Sequence, residues 1–161
     1  MRIRTWNIFI GFNKRIGNYT RYSCFYFFSQ GAIFDSLKEK NRNKKIQFYP
    51  LVNKNDIQEL YTRSSIQIVP QLPNTSKGSL PSKLPNILAS GTKVLVITDK
   101  NSELEKLFNE NNLQKIITTW DKKIILSSIE KLLEEEIDIN KQKEITQKLF
   151  NIDSLIGKII S

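Results

Sequence analysis

The stretch Gly78-Ser-Leu-Pro-Ser-Lys-Leu-Pro-Asn-Ile-Leu-Ala-Ser-Gly-Thr-Lys-Val-Leu-Val-Ile97 decides the reading of the fold. It contains a loop, a short helix, a tight turn and a strand, in that order. Ser79 or Ser82 can cap the helix with a hydroxyl, and Pro81 suits its first turn. Leu84, Ile87 and Leu88 recur at the spacing of one buried helical stripe. Ser90-Gly91 stops the helix, because glycine tolerates the left-handed conformation that ends one. Lys93-Val-Leu-Val-Ile97 is then almost wholly apolar, as a strand covered on both faces is. A loop that feeds a helix beside a buried parallel strand is where α/β sheets take phosphorylated ligands.

The same grammar extends outward from Gly31. Ile33 to Lys40 reads as a helix with Ile33 or Phe34 and Leu37 on one face, and Ile46 to Pro50 as a short strand stopped by proline. Asn53 or Asn55 can cap a helix through Arg63 that buries Ile57, Leu60 and Tyr61. Ile66 to Pro70 is a second proline-stopped strand. Past Ile97, Ser102 precedes an acidic first turn and a helix that Asn111-Asn112 ends. Ile116 to Trp120 reads as a strand, Lys122 to Glu135 and Lys141 to Phe150 as helices, and Ile152 to Ile160 as an apolar tail that docks on the sheet. Alternating strands and helices with short loops predict βαβ units, hence an α/β fold with a Rossmann-like parallel sheet flanked by helices.

At 161 residues the chain is large enough for one domain with a proper core. No run of about 18 apolar residues predicts a membrane span, and no signal peptide is expected. One cysteine, Cys24, excludes an internal disulfide and fits a reducing compartment. The absence of histidine excludes Ser-His-Asp and Cys-His catalysis and the usual zinc sites, so no metal site is expected. The net charge of +9 is unevenly placed: residues 1–54 hold 11 Lys+Arg and 2 Asp+Glu, whereas residues 55–161 hold 14 of each.

Residues 1–30 differ in composition from residues 31–161. Nine of the 16 aromatic residues lie in the first 28 positions, among scattered cations and without helical periodicity. Ile8 to Ile10 and Tyr22 to Phe28 are candidate strands there, since aromatic runs favour sheets. The change near Gln30-Gly31 divides the chain into an atypical basic and aromatic N-terminal segment, 1–30, and a Rossmann-like domain, 31–161. A shifted reading frame joined to a sound domain would produce such a change.

Ile46-Gln-Phe-Tyr-Pro-Leu-Val52, Asp56-Ile-Gln-Glu-Leu-Tyr61, Ser65-Ile-Gln-Ile-Val-Pro70 and Leu80-Pro-Ser-Lys-Leu-Pro-Asn-Ile-Leu-Ala-Ser-Gly91 form an ordered series. That series resembles the C-terminal, donor-binding half of retaining glycosyltransferases of family 4, which have the two-domain GT-B fold, and within them the branch related to colanic acid glycosyltransferases. The resemblance spans roughly Gly31 to Phe150. It implies binding of a UDP- or GDP-sugar as donor substrate, without a cofactor, for transfer to a polysaccharide or lipid-linked acceptor. Gly78, Ser79, Ser82 and Lys83 match the family's phosphate-facing loop and helix start. Asn86 stands where many relatives carry a glutamate that holds the ribose hydroxyls, and an amide can still donate and accept there. Glu103 matches a glutamate that reaches the donor in similar enzymes, although as a first-turn residue it also complements a helix dipole. The other glutamate of the family's pair has no counterpart, and Gly78 occupies its place.

The resemblance also implies that the acceptor-binding half and its catalytic residues lie on a missing N-terminal domain or a partner chain, so that the 161 residues alone are inactive. A cytoplasmic setting, with peripheral contact to the inner face of a membrane, accords with that acceptor class. The charge map supports a reading of a different kind, a non-catalytic basic module whose residues 1–54 contact acidic lipid or nucleic acid. Nucleic acid is the less favoured partner, because no recognition motif accompanies the charge. A dinucleotide enzyme is disfavoured, since no strand precedes Gly-x-Gly-x-x-Gly.

Overall fold

A computed structural model of the chain describes residues 7–12, 23–75 and 80–151, with the backbone alone for 7–12 and Ser23. Its strands are β1 (Asn7–Phe12), β2 (Ser23–Phe28), β3 (Ile46–Tyr49), β4 (Ile66–Pro70), β5 (Lys93–Ile97) and β6 (Lys115–Ile117). The helices are α1 (Ala32–Lys40), α2 (Ile57–Arg63), α3 (Leu84–Ala89), α4 (Glu103–Glu110), α5 (Lys122–Glu134) and α6 (Ile139–Phe150). The fold is α/β and Rossmann-like, as the alternation predicts. The strands form one sheet in the order β3-β2-β1-β4-β5-β6, the order of a doubly wound sheet.

β2 and β3 run parallel, and so do β4, β5 and β6. β1 departs from the expected parallel arrangement: it is antiparallel to both neighbours, with Ile8 opposite Phe27 on one side and Ile68 on the other. The physical reason is the connection. The chain leaves β1 at Phe12 and enters β2 directly opposite, at Ser23. Such a return is open to antiparallel strands, whereas parallel neighbours need a crossover. The sheet thus runs across the composition change at Gln30-Gly31, and β1 joins its two parallel blocks.

Along β5, successive side chains enter different cores, as the two-residue period of a strand requires. Val94 and Val96 join Tyr61, Val69, Leu84, Ile87, Leu88, Leu104 and Phe108 under α2, α3 and α4. Leu95 and Ile97 join Ile66, Ile68, Ile117, Ile129 and Leu132 under α5. α6 returns to the first face, where Ile145, Leu149 and Phe150 pack on that cluster.

α6 also finishes the end of α3. The Gln142 amide donates to the carbonyls of Leu88 (2.8 Å) and Thr92 (3.2 Å), and so ties α6 to the end of α3 and the start of β5. Gly91 stops α3 as its sequence predicts, at φ 78°. A Cβ there would stand 2.6 Å from Ile139 Cγ2, so the turn needs glycine for its backbone and for the approach of α6.

Local details depart from the sequence expectation where packing overrides pattern. Phe34 is buried, but Ile33 and Leu37 are 66% and 45% exposed, so α1 does not bury the expected stripe. β6 ends at Ile117, short of the exposed Trp120. A 3-10 turn at Lys54–Asp56 precedes α2, whose N-cap is Asp56 in place of Asn53 or Asn55. The tail 152–160 lies outside the described residues. Among the described residues no helix is long and apolar enough to cross a membrane.

Candidate functional site

Because β4 and β5 are parallel and level, with Pro70 opposite Ile97, the loops that follow them leave from one edge of the sheet. The reversed β1 brings its first residues to this edge, since Ile8 lies opposite Ile68 near the end of β4. Ligands of open α/β sheets bind outside this edge, where successive connections diverge to opposite faces and leave a crevice.

Most of the expected site residues fall here. Gly78 and Ser79 lie outside the described residues. Ser82 is exposed just before α3. Lys83 is the N-cap of α3, and no side-chain hydrogen bond caps the helix there. The capping hydroxyl expected from Ser82 is therefore not used, and the first-turn proline is Pro85, in place of Pro81. Asn86 is on the exposed side of α3, opposite the stripe of Leu84, Ile87 and Leu88 that is fully buried. Glu103 opens α4 at the same sheet edge, with its side chain exposed.

Lys83 is the chemically distinctive member. It is partly buried, and part of the residue still reaches solvent. Burial pushes its ammonium from the ordinary 10.5 down to about 8, because removal of water disfavours the charged form. An anion that docks beside it would restore the charge and be held by it. α3 is only six residues long, so its dipole adds little, and among the described residues the lysine is the main source of positive charge at this helix start.

Between the strand ends lies a buried polar chain that sequence patterning does not single out as a unit. The Thr98 hydroxyl is 2.6 Å from Gln71 Oε1 and 3.0 Å from Ser102 Oγ. Ser102 Oγ in turn accepts from the Glu105 N–H at 3.1 Å, capping α4. With one proton per hydroxyl, Ser102 donates to Thr98 and Thr98 donates to Gln71. All three residues are at least nine-tenths buried. Gln71 also follows β4 closely through its N–H to the Ile97 carbonyl, 2.8 Å, so the network holds the ends of β4 and β5 together. The signal was present as a polar residue placed directly after each buried strand, at Pro70-Gln71 and Ile97-Thr98. Ser102 was legible as the residue before an acidic first turn, but neither its cap bond nor its tie to β4 was.

The two helix starts at this edge differ in their electrostatics. The first turn of α4 carries Glu103 and Glu105, and its cap is occupied by Ser102, so it repels a phosphate. The start of α3 has no acidic residue in its first turn and carries Lys83. A separate cleft of 340 Å³ lies at the opposite edge, between the start of β6 and the α5–α6 connection. It holds Glu135, Glu136 and Asp138 against Lys115 and Lys141, an acidic balance that does not suit a diphosphate. Strand direction and charge favour the β4–α3 edge over that cleft. Among the described residues no cluster of acidic or cysteine side chains could hold a metal ion. No known protein family and no curated protein matches the chain.

Proposed function

We propose that the chain is the donor-binding half of a retaining glycosyltransferase of GT-B type. It binds the diphosphate of a UDP- or GDP-sugar at the β4–α3 edge. The observation that carries this reading is Lys83: a partly buried lysine with a lowered pKa at a helix start, at the ligand-binding edge of a sheet with doubly wound order. The ordered motifs from Ile46 to Gly91 support it through their resemblance to that family.

In this reading Lys83 supplies the positive charge for the donor phosphates, and stabilises the nucleotide as it leaves. Ser82 and Asn86, exposed near it, offer a hydroxyl and an amide to phosphate and ribose. Glu103 reaches the sugar from α4. The acceptor and the remaining catalytic groups come from another domain or chain, at the cytoplasmic face of a membrane.

Calorimetric titration with UDP, GDP and their sugar conjugates tests the reading. Binding of at least one is expected, and Lys83→Met should weaken it about tenfold or more, the value of roughly one charge-assisted contact. Folded protein that binds none of them overturns the proposal. Binding that is indifferent to Lys83→Met removes the site from this edge.

A further inference from the structure

The surface furthest along the sheet from β6 joins exposed aliphatic side chains to a dense run of cations. At about 100° per residue, Ile33, Leu37 and Lys40 fall in one stripe of α1, while Asp35, Lys38 and Glu39 fall away from it. Ile33 and Leu37 are 66% and 45% exposed, although a helix that borders a core normally buries such a pair. Lys38 and Lys40 end the helix, and Arg42, Lys44 and Lys45 follow in the turn to β3, all exposed.

That turn is built to hold its shape. The Asn41 amide donates to the carbonyls of Asn43 (3.1 Å) and Ile46 (2.9 Å) and accepts from the Asn43 N–H at 3.1 Å. Asn43 Oδ1 accepts from the Lys45 N–H at 3.0 Å. These bonds tie several backbone groups of the turn to Asn41 and Asn43, and the cationic side chains are carried on that frame. Arg42 also donates to the Glu39 carbonyl, which keeps its charge at the C-terminus of α1.

We propose that α1 and the α1–β3 turn form a docking surface for an anionic phospholipid bilayer. The cations meet the lipid phosphates while Ile33 and Leu37 enter the interface. Charge complementarity selects an acidic partner, and the aliphatic pair selects a bilayer over nucleic acid, whose phosphate backbone offers such side chains little. The surface is set by side chains distinct from those of the β4–α3 edge, so it stands independently of the donor-binding reading.

Co-sedimentation of the full chain with vesicles tests it. Binding is expected to vesicles rich in phosphatidylglycerol, to weaken with salt, and to be absent with pure phosphatidylcholine. Replacement of Lys40, Lys44 and Lys45 by Gln together should weaken it about a hundredfold, from about fivefold per cation near the surface. Ile33→Ser with Leu37→Ser should weaken it further by about tenfold or more. Circular dichroism of each variant controls for folding, since every substituted side chain is exposed. Loss of vesicle binding in the lysine variant but not in the aliphatic one would overturn bilayer insertion. So would tight, salt-sensitive binding to DNA or RNA without binding to vesicles.

Discussion

The two parallel blocks of the sheet are built on different principles. In the β4–β5–β6 block the two central strands are sealed on both faces: Ile66, Val94, Leu95 and Val96 have no solvent exposure, and the side chains packed around them are mostly branched aliphatics. In β2–β3 no described residue from Cys24 to Phe28 or from Ile46 to Phe48 is fully buried. That block is instead held by aromatic rows. Phe27 stacks on Phe48 at 5.2 Å and Phe34 meets Phe48 edge-on at 5.5 Å. On the other face Phe28 stacks on Tyr49 at 5.4 Å and Tyr26 on Tyr49 at 6.2 Å. Dense aliphatic packing excludes water and makes a rigid platform. Partly exposed aromatic ladders stabilise a strand pair while leaving surface for contact. The candidate donor edge sits on the first block, and the basic docking surface on the second.

The largest test of this contrast is a matched pair of truncations. Phe108→Ala, at a site 1% exposed, should cost about 3–5 kcal/mol of unfolding free energy in urea. Phe48→Ala, half-buried in the aromatic rows, should cost about 1–2 kcal/mol. Equal losses at the two sites would erase the distinction between the blocks. Gly91→Ala comes next, since it probes how α6 is held to the sealed block. It forces alanine into φ 78° and its Cβ against Ile139, for about 2 kcal/mol. Adding Ile139→Ala should return only the steric part of that loss. Full recovery in the double variant would show that the backbone conformation carries no cost.

The smallest effect is electrostatic and concerns the donor edge. Folded Lys83 titrates near 8 and unfolded lysine near 10.5. Between these values the unfolded chain holds more protons, so stability attributable to this residue rises as pH increases through that window. Relative to Lys83→Met, the native chain should gain on the order of 1 kcal/mol across the window, reduced by the part of the side chain that reaches solvent. Ligand affinity should run the opposite way: a diphosphate held by the ammonium binds more weakly as pH rises through 8. A pH-independent difference between the two proteins would mean that Lys83 is solvated.

Much of the sealed block was legible because each local signal agreed with its neighbours. Lys93 to Ile97 reads as a doubly covered strand, Gly91 as a helix stop and Glu103 as the start of a helix with an acidic first turn, and all three hold. Of the candidate donor edge, the position of Lys83 at the loop–helix junction was readable. The depth of its enclosure was not, because burial depends on what other elements place around it. Gln71 and Thr98 looked like ordinary polar residues at strand ends until parallel register brought them within hydrogen-bonding distance. α1 shows the converse: helical spacing expected Leu37 inside, but the neighbouring elements leave it exposed.

By itself, then, the sequence determined the α/β alternation, the two-faced strands and the turns, because these follow from short-range periodicity and the conformations open to glycine and proline. It also set the uneven charge that makes one surface basic. Only the tertiary structure decided that β1 enters the sheet reversed between the two blocks, that α6 closes the end of α3, and that Lys83 is partly withdrawn from water. Each of these is a choice among partners distant in the chain, and local propensity does not rank such partners.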